Sequence, residues 1–188
     1  MRKKSVILIF CLIGSIVLGG CDMASGIVQE TDNYDAPETG GFIELDYYPG
    51  YSDMEGGRHS ESIRENDDGE WVIEVIDQET FSSPTVITTY ALAFGVEELE
   101  SFIKDKKILA LTDRKDSDLF VTDYHPWSYS IIFDNSSLGG SGFEIYSIGQ
   151  YKEYSERDKE LLSELREKFK SMRGKVISEI TEDEEDDY

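Results

Sequence analysis

The chain has 188 residues, 40 of them acidic and 18 basic, for a formal charge of −22. So acidic a surface repels phosphate backbones and anionic lipid headgroups, so nucleic-acid binding and electrostatic adsorption to membranes are excluded as expected functions. Only two cysteines are present, Cys11 and Cys21, too few for a disulfide framework or a thiolate metal site.

The chain begins MRKKSVILIFCLIGSIVLGGCD. Arg2, Lys3 and Lys4 precede an uncharged run, Ser5 to Gly20, which is shorter than the roughly 20 apolar residues a spanning helix needs. A charged start, a short apolar middle and small residues before a processing point form the pattern of an export signal. Leu18-Gly19-Gly20-Cys21 resembles the lipobox of bacterial lipoproteins. That resemblance implies a diacylglyceryl thioether on Cys21 and cleavage between Gly20 and Cys21 by a type II signal peptidase. Two acyl chains suffice for stable anchoring where one does not. The expected location is the extracytoplasmic face of the cell membrane. Loss of residues 1–20 removes three basic residues and no acidic one, making the mature chain still more acidic.

Residues 21–41 comprise the lipidated end and a polar, acidic stretch closed by Gly40-Gly41. They read as a flexible tether with a span of roughly 25 Å. One α+β domain is expected over residues 42–174, large enough to bury a core. An acidic disordered tail is expected over 175–188.

Strand patterns dominate the first part of the domain. FIELDYY (42–48) alternates apolar and polar residues and ends at Pro49-Gly50. SESIREN (60–66) and EWVIEVI (70–76) flank Asp67-Asp68-Gly69, a hairpin signature. TVITTYALA (85–93) is rich in β-branched residues. The period then changes to that of a helix. VEELESFIKDKK (96–107) puts Val96, Leu99, Phe102 and Ile103 on one face, with acids early and lysines late.

ILAL (108–111) reads as a short strand, followed by LFVTDY (119–124), WSYSIIF (127–133) and FEIYSI (143–148). SERDKELLSELREKFKSMR (155–173) is the second amphipathic helix, with Ser155 and Asp158 at its start and Gly174 as its stop. Its apolar stripe is Leu161, Leu162, Leu165, Phe169 and Met172. The fold expected is a largely antiparallel sheet of five to seven strands with two helices, the second C-terminal. This order of elements, with GGRHSE, ELESFI and RKDSDLFVTDYHPWSYSIIF, is similar to that of uncharacterised small lipoproteins of Gram-positive anaerobes. The resemblance implies an anchored extracytoplasmic domain and no particular activity.

Patterns that carry chemistry are sparse. Gly139-Gly140-Ser141-Gly142-Phe143 departs from a nucleophile elbow at its last position, and only His59 and His125 could serve as imidazole bases. No catalytic residue and no cofactor is expected. Asp113, Asp116 and Asp118 are calcium candidates because calcium takes oxygen ligands, but they do not follow the EF-hand spacing. Aromatic residues stand out instead. Trp127, Tyr129, Ile131 and Phe133 share one strand face, while Tyr47, Tyr48 and Tyr51 cluster around the first strand. Trp127, Tyr129, Tyr47 and Tyr51 are therefore candidate ligand-binding residues, although the same side chains could form the core. The expected role is a non-catalytic binding or envelope-interaction module with a glycan or protein partner. A carboxylate-based envelope hydrolase and a calcium-stabilised structural module are the alternatives.

Overall fold

The computed structural model describes residues 35–50, 56–80, 82–118, 126–140 and 142–182. The expectations for the signal segment, Gly20 and Cys21, most of the tether, Tyr51, the 119–124 strand, His125, Ser141 and residues 183–188 lie outside these. The described residues belong to one compact unit. No described helix is long and apolar enough to cross a membrane.

Seven strands form one antiparallel sheet: β1 (Gly41–Tyr48), β2 (Gly56–Glu65), β3 (Trp71–Thr80), β4 (Thr85–Leu92), β5 (Ser128–Asp134), β6 (Phe143–Gly149) and β7 (Arg173–Glu182). Their spatial order is β6-β5-β1-β2-β3-β4-β7. Two helices, α1 (Val96–Asp105) and α2 (Glu156–Ser171), complete the main elements. This agrees in its main lines with the sheet-plus-helices expectation.

Local chemistry explains most of the boundaries. The β2–β3 hairpin turns where Gly69 adopts φ +79°, a region open to glycine at little steric cost. The Asn66 side chain accepts from the amides of Asp68 and Glu70 at 3.0 and 2.8 Å, closing that turn. At the start of α2, the Ser155 hydroxyl accepts from the Asp158 amide at 3.2 Å. The Asp158 carboxylate in turn accepts from the Ser155 amide at 3.1 Å, a reciprocal capping box.

The core lies between one face of the sheet and the helices. Leu45, Ile63, Ile73, Ile131, Phe133 and Ile148 are fully buried from the strands, with Leu99, Ile103, Leu165, Phe169 and Met172 opposite them. These helical residues belong to the stripes expected from periodicity. On the sheet, apolar-in alternation puts Glu44, Asp46, Ser62 and Arg64 on the other face.

Three expectations need correction. ILAL is not a strand but the start of a 3-10 helix, Ile108–Asp113, reached through Lys107 at φ 55°. Its first four residues are all buried, so the run carries no period of two that could distinguish strand from helix. Gly174 does not stop α2, whose C-cap is Met172. It lies in β7, where a Cβ would come within 2.7 Å of the Ala91 carbonyl oxygen, so it permits close approach to β4. Finally, α2 is not the last element, and residues 175–182 are not a disordered tail. They belong to β7, which pairs with β4 from Leu92↔Arg173 to Thr85↔Glu182. Val176, Ile177, Ile180 and Thr181 supply the β-branched residues that suit a strand, which the acidic composition of the segment concealed.

Candidate functional site

Strand register places candidate residues side by side. One rung across the sheet reads Ile148, Tyr129, Tyr47, Glu61 and Val75, from β6 to β3. Its side chains face the helices, and aromatic contacts extend the rung toward Trp127 and Tyr154. The Tyr47 and Tyr129 rings are 4.6 Å apart, Tyr129 and Trp127 are 6.2 Å apart, and Trp127 stacks on Tyr154 at 6.0 Å and 27°.

Burial divides this group by role. Tyr129 is 3% exposed and belongs to the core, as do Ile131 and Phe133 on the same strand face. Trp127 and Tyr47 are only partly buried and pack against the core's margin. Burial raises the pKa of all three nearby phenols, that of Tyr154 to about 12. They therefore stay neutral at physiological pH.

At the Trp127 end lies a cavity of about 410 Å³. The side chains of Trp127, Tyr154 and Leu162 line it together with Gln150, Lys152 and Lys159. Its volume falls within the range of small-ligand sites. Trp127 is held by its backbone, whose carbonyl accepts from the Gln150 amide at 3.1 Å. The Tyr154 hydroxyl donates to the Gly149 carbonyl at 2.9 Å, which fixes the plane of its ring.

A buried ion pair sets the start of α2, the helix that supplies Lys159 and Leu162 to the cavity. Arg114 donates to both Asp158 oxygens at 2.8 and 2.7 Å, and Asp158 is 2% exposed. Burial alone would push the Asp158 carboxyl up, but Arg114 and the Ser155 cap hold it below its ordinary value. Lys152 donates to the Arg114 carbonyl at 3.1 Å and lies 3.4 Å from Asp116. Lys159 pairs with Glu156 at 2.6 Å on an exposed surface. Such a surface pair is worth little, so a ligand anion can compete for Lys159.

At the opposite end of the rung lies a charge cluster that sequence reasoning missed. Glu61 is 1% exposed. Arg166 of α2 donates to its two oxygens at 2.9 and 2.6 Å, and Arg173 of β7 pairs with it as well. His59 approaches Glu61 through Nε2 at 3.1 Å and Asp77 through Nδ1 at 3.3 Å. The guanidinium carbon of Arg166 also lies 4.0 Å from the Tyr47 ring centroid, a cation–π contact. Burial opposes ionisation of Glu61, yet hydrogen bonds from His59, Arg166 and Arg173 outweigh it and hold the carboxyl far below 4.5. The hydrogen bond to Glu61 is the main cause that raises His59 above 6.5. No local motif signals this cluster, because Glu61 and Arg166 are 105 positions apart.

The remaining candidates are placed differently. Among the described residues, no group of three or more His, Cys, Asp or Glu side chains could hold a metal ion. Asp113, Asp116 and Asp118 are therefore not brought together as a cation site. Glu44 and Asp46 sit beside each other on the sheet face away from the helices. Burial raises both carboxyls, and the Asp46 charge raises Glu44 further. Compared with known protein families, curated proteins and solved structures, the chain matches none.

Proposed function

We propose that this protein is a lipid-anchored, extracytoplasmic, non-catalytic binding module whose ligand enters the Trp127–Tyr154 cavity. The observation that carries the reading is the cavity itself, lined by Trp127, Tyr154 and Leu162 together with Lys152 and Lys159. A sugar ring stacks its apolar face on an indole or phenol, and a carboxylate on that sugar matches the lysines of the lining. An acidic saccharide of the cell envelope meets both requirements. Anchoring through Cys21 would hold the cavity close to such glycans.

The Glu61 cluster fits a structural role in this reading. A carboxylate held ionised by two arginines and a histidine is a poor proton donor or acceptor near neutral pH. It ties α2, which forms one wall of the cavity, to β2 and β7.

A disaccharide of N-acetylglucosamine and N-acetylmuramic acid, titrated into the full chain in a calorimeter, tests the reading. Binding that weakens in Lys159→Glu supports it, since Lys159 is 60% exposed and tolerates replacement. Equal binding by Lys159→Glu and Trp127→Ala would refute it. Anchoring has its own test: Cys21→Ser should accumulate as unprocessed precursor, and normal processing would contradict lipidation.

A second reading, a carboxylate-based hydrolase, draws support from the raised Glu44 and Asp46 pair. It requires glycan turnover that Glu44→Gln abolishes. Turnover unaffected by that change would exclude this pair.

A further inference from the structure

Among the described residues, the two ends of the sheet are protected unequally. Edge strands expose unpaired backbone groups and are usually guarded by bulges, charges or proline. At one end, β7 has register shifts at Thr89/Tyr90 and Tyr90/Leu92, and it carries Lys175, Glu179 and Glu182. At the other, β6 pairs with β5 without a shift from Ser128↔Gly149 to Asp134↔Phe143. Its sequence, FEIYSIG, has one charge and no proline. Phe143 is 72% and Ile145 62% exposed, both on the face away from the helices and next to the partly buried Ile132.

Glu144 points to the opposite face, where it accepts from the Asn135 side chain at 2.6 Å. It lines a cavity of about 440 Å³ with Glu38, Asn135 and Leu138. We infer that the outer edge of β6 is a docking edge for an extended peptide strand that alternates apolar and basic residues. Added to β6, such a strand gains main-chain hydrogen bonds along a regular edge. Residues opposite Phe143 and Ile145 lie on their apolar face, and the one opposite Glu144 lies on the face of its carboxylate, on the side of the cavity that Glu38 also lines. Opposite charges directly across strands are favourable, and like charges are not.

This argument also selects the partner. A second copy would bring a second Glu144 and Glu38, on a body of charge −22, to the same edge. A basic segment is instead drawn to it at long range. The site is distinct from the Trp127 cavity and does not depend on it.

The test uses the purified full chain in detergent at physiological salt, with a fluorescein-labelled, capped peptide alternating valine and lysine. Anisotropy should show saturable binding, weakened about tenfold by Ile145→Lys and unchanged by Ile177→Lys on the other edge. The same peptide N-methylated at alternate amides keeps its charge but loses one hydrogen-bonding edge, and it should bind at least as poorly. Should Ile145→Lys disturb the fold, Phe143→Ser takes its place. Equal binding of the N-methylated peptide would mean charge attraction alone and overturn the inference. A greater loss in Ile177→Lys would also overturn it, by moving the site to β7. So would sedimentation of the free chain as a dimer that Ile145→Lys splits, because the edge would then belong to a second copy.

Discussion

Arg166 of α2 and Glu61 of β2 form a two-point ion pair at 2.9 and 2.6 Å beneath the helix layer. The same guanidinium caps the Tyr47 ring, so one side chain joins the helix to both β1 and β2. Arg173 adds β7 to the junction, and His59 with Asp77 adds β3. Removing one partner of a buried pair leaves the other charge without compensation, at a cost of about 3–5 kcal/mol. Glu61→Gln should therefore lower the free energy of unfolding by about that amount. Urea denaturation followed by circular dichroism measures it, and a loss near zero would contradict the account of the junction.

The junction also sets how stability depends on pH. The folded-state value of Glu61 is depressed below 4.5, so its contribution is present above 4.5 and is lost as pH falls toward the folded value. That of His59 is raised above 6.5, so its contribution is complete below 6.5 and is lost as pH rises through the folded value. The two together are greatest between 4.5 and 6.5. Urea midpoints across the acid and neutral range should fall on both sides of that window. Glu61→Gln should flatten the acid limb and His59→Gln the neutral one. A His59→Gln profile identical to that of the parent would show that this ring is not coupled to folding.

Two changes at the start of α2 should differ in size. Ser155→Ala removes one half of the capping box and should cost about 1 kcal/mol. Asp158→Asn removes a cap acceptor and also leaves Arg114 facing a neutral group in a buried site, which should cost about 3 kcal/mol. If the two variants unfold at the same urea concentration, the Arg114–Asp158 pair is worth no more than the cap.

Phe133 and Phe169 are both fully buried, one from β5 and one from α2. Truncation of either to alanine should cost about 3–5 kcal/mol through lost burial and the cavity left behind. Phe143→Ala, at 72% exposure, should stay within about 0.5 kcal/mol of the parent. Comparable losses in all three variants would mean that the sheet face is assigned the wrong way round.

Much of the fold was legible because local signals agreed with one another. The Asp-Gly turn marks the β2–β3 hairpin, the period of two marks β1 and β5, and Ser155 with Asp158 marks the start of α2. Strand β7 was not legible, because acids that sit harmlessly on an exposed edge look like those of a disordered tail. Neither was the Glu61 junction, since ion pairs between distant segments leave no spacing to read. The aromatic stripe was legible only in part. Alternation puts Trp127 and Tyr129 on one face, but it cannot show that Tyr129 is sealed in the core while Trp127 borders a cavity. That difference arises where β5 meets Gln150 and Tyr154 beyond the end of β6.

The most direct test of the binding account makes Trp127 the sole tryptophan of the full chain through Trp71→Phe, then records its emission and acrylamide quenching as the N-acetylglucosamine–N-acetylmuramic acid disaccharide is added. The account predicts emission intermediate between buried and exposed indole, moderate quenching, and a saturable blue shift with protection from acrylamide. Emission that is already fully blue-shifted, resists quenching and ignores the saccharide would contradict it, and would place Trp127 in the core with Tyr129.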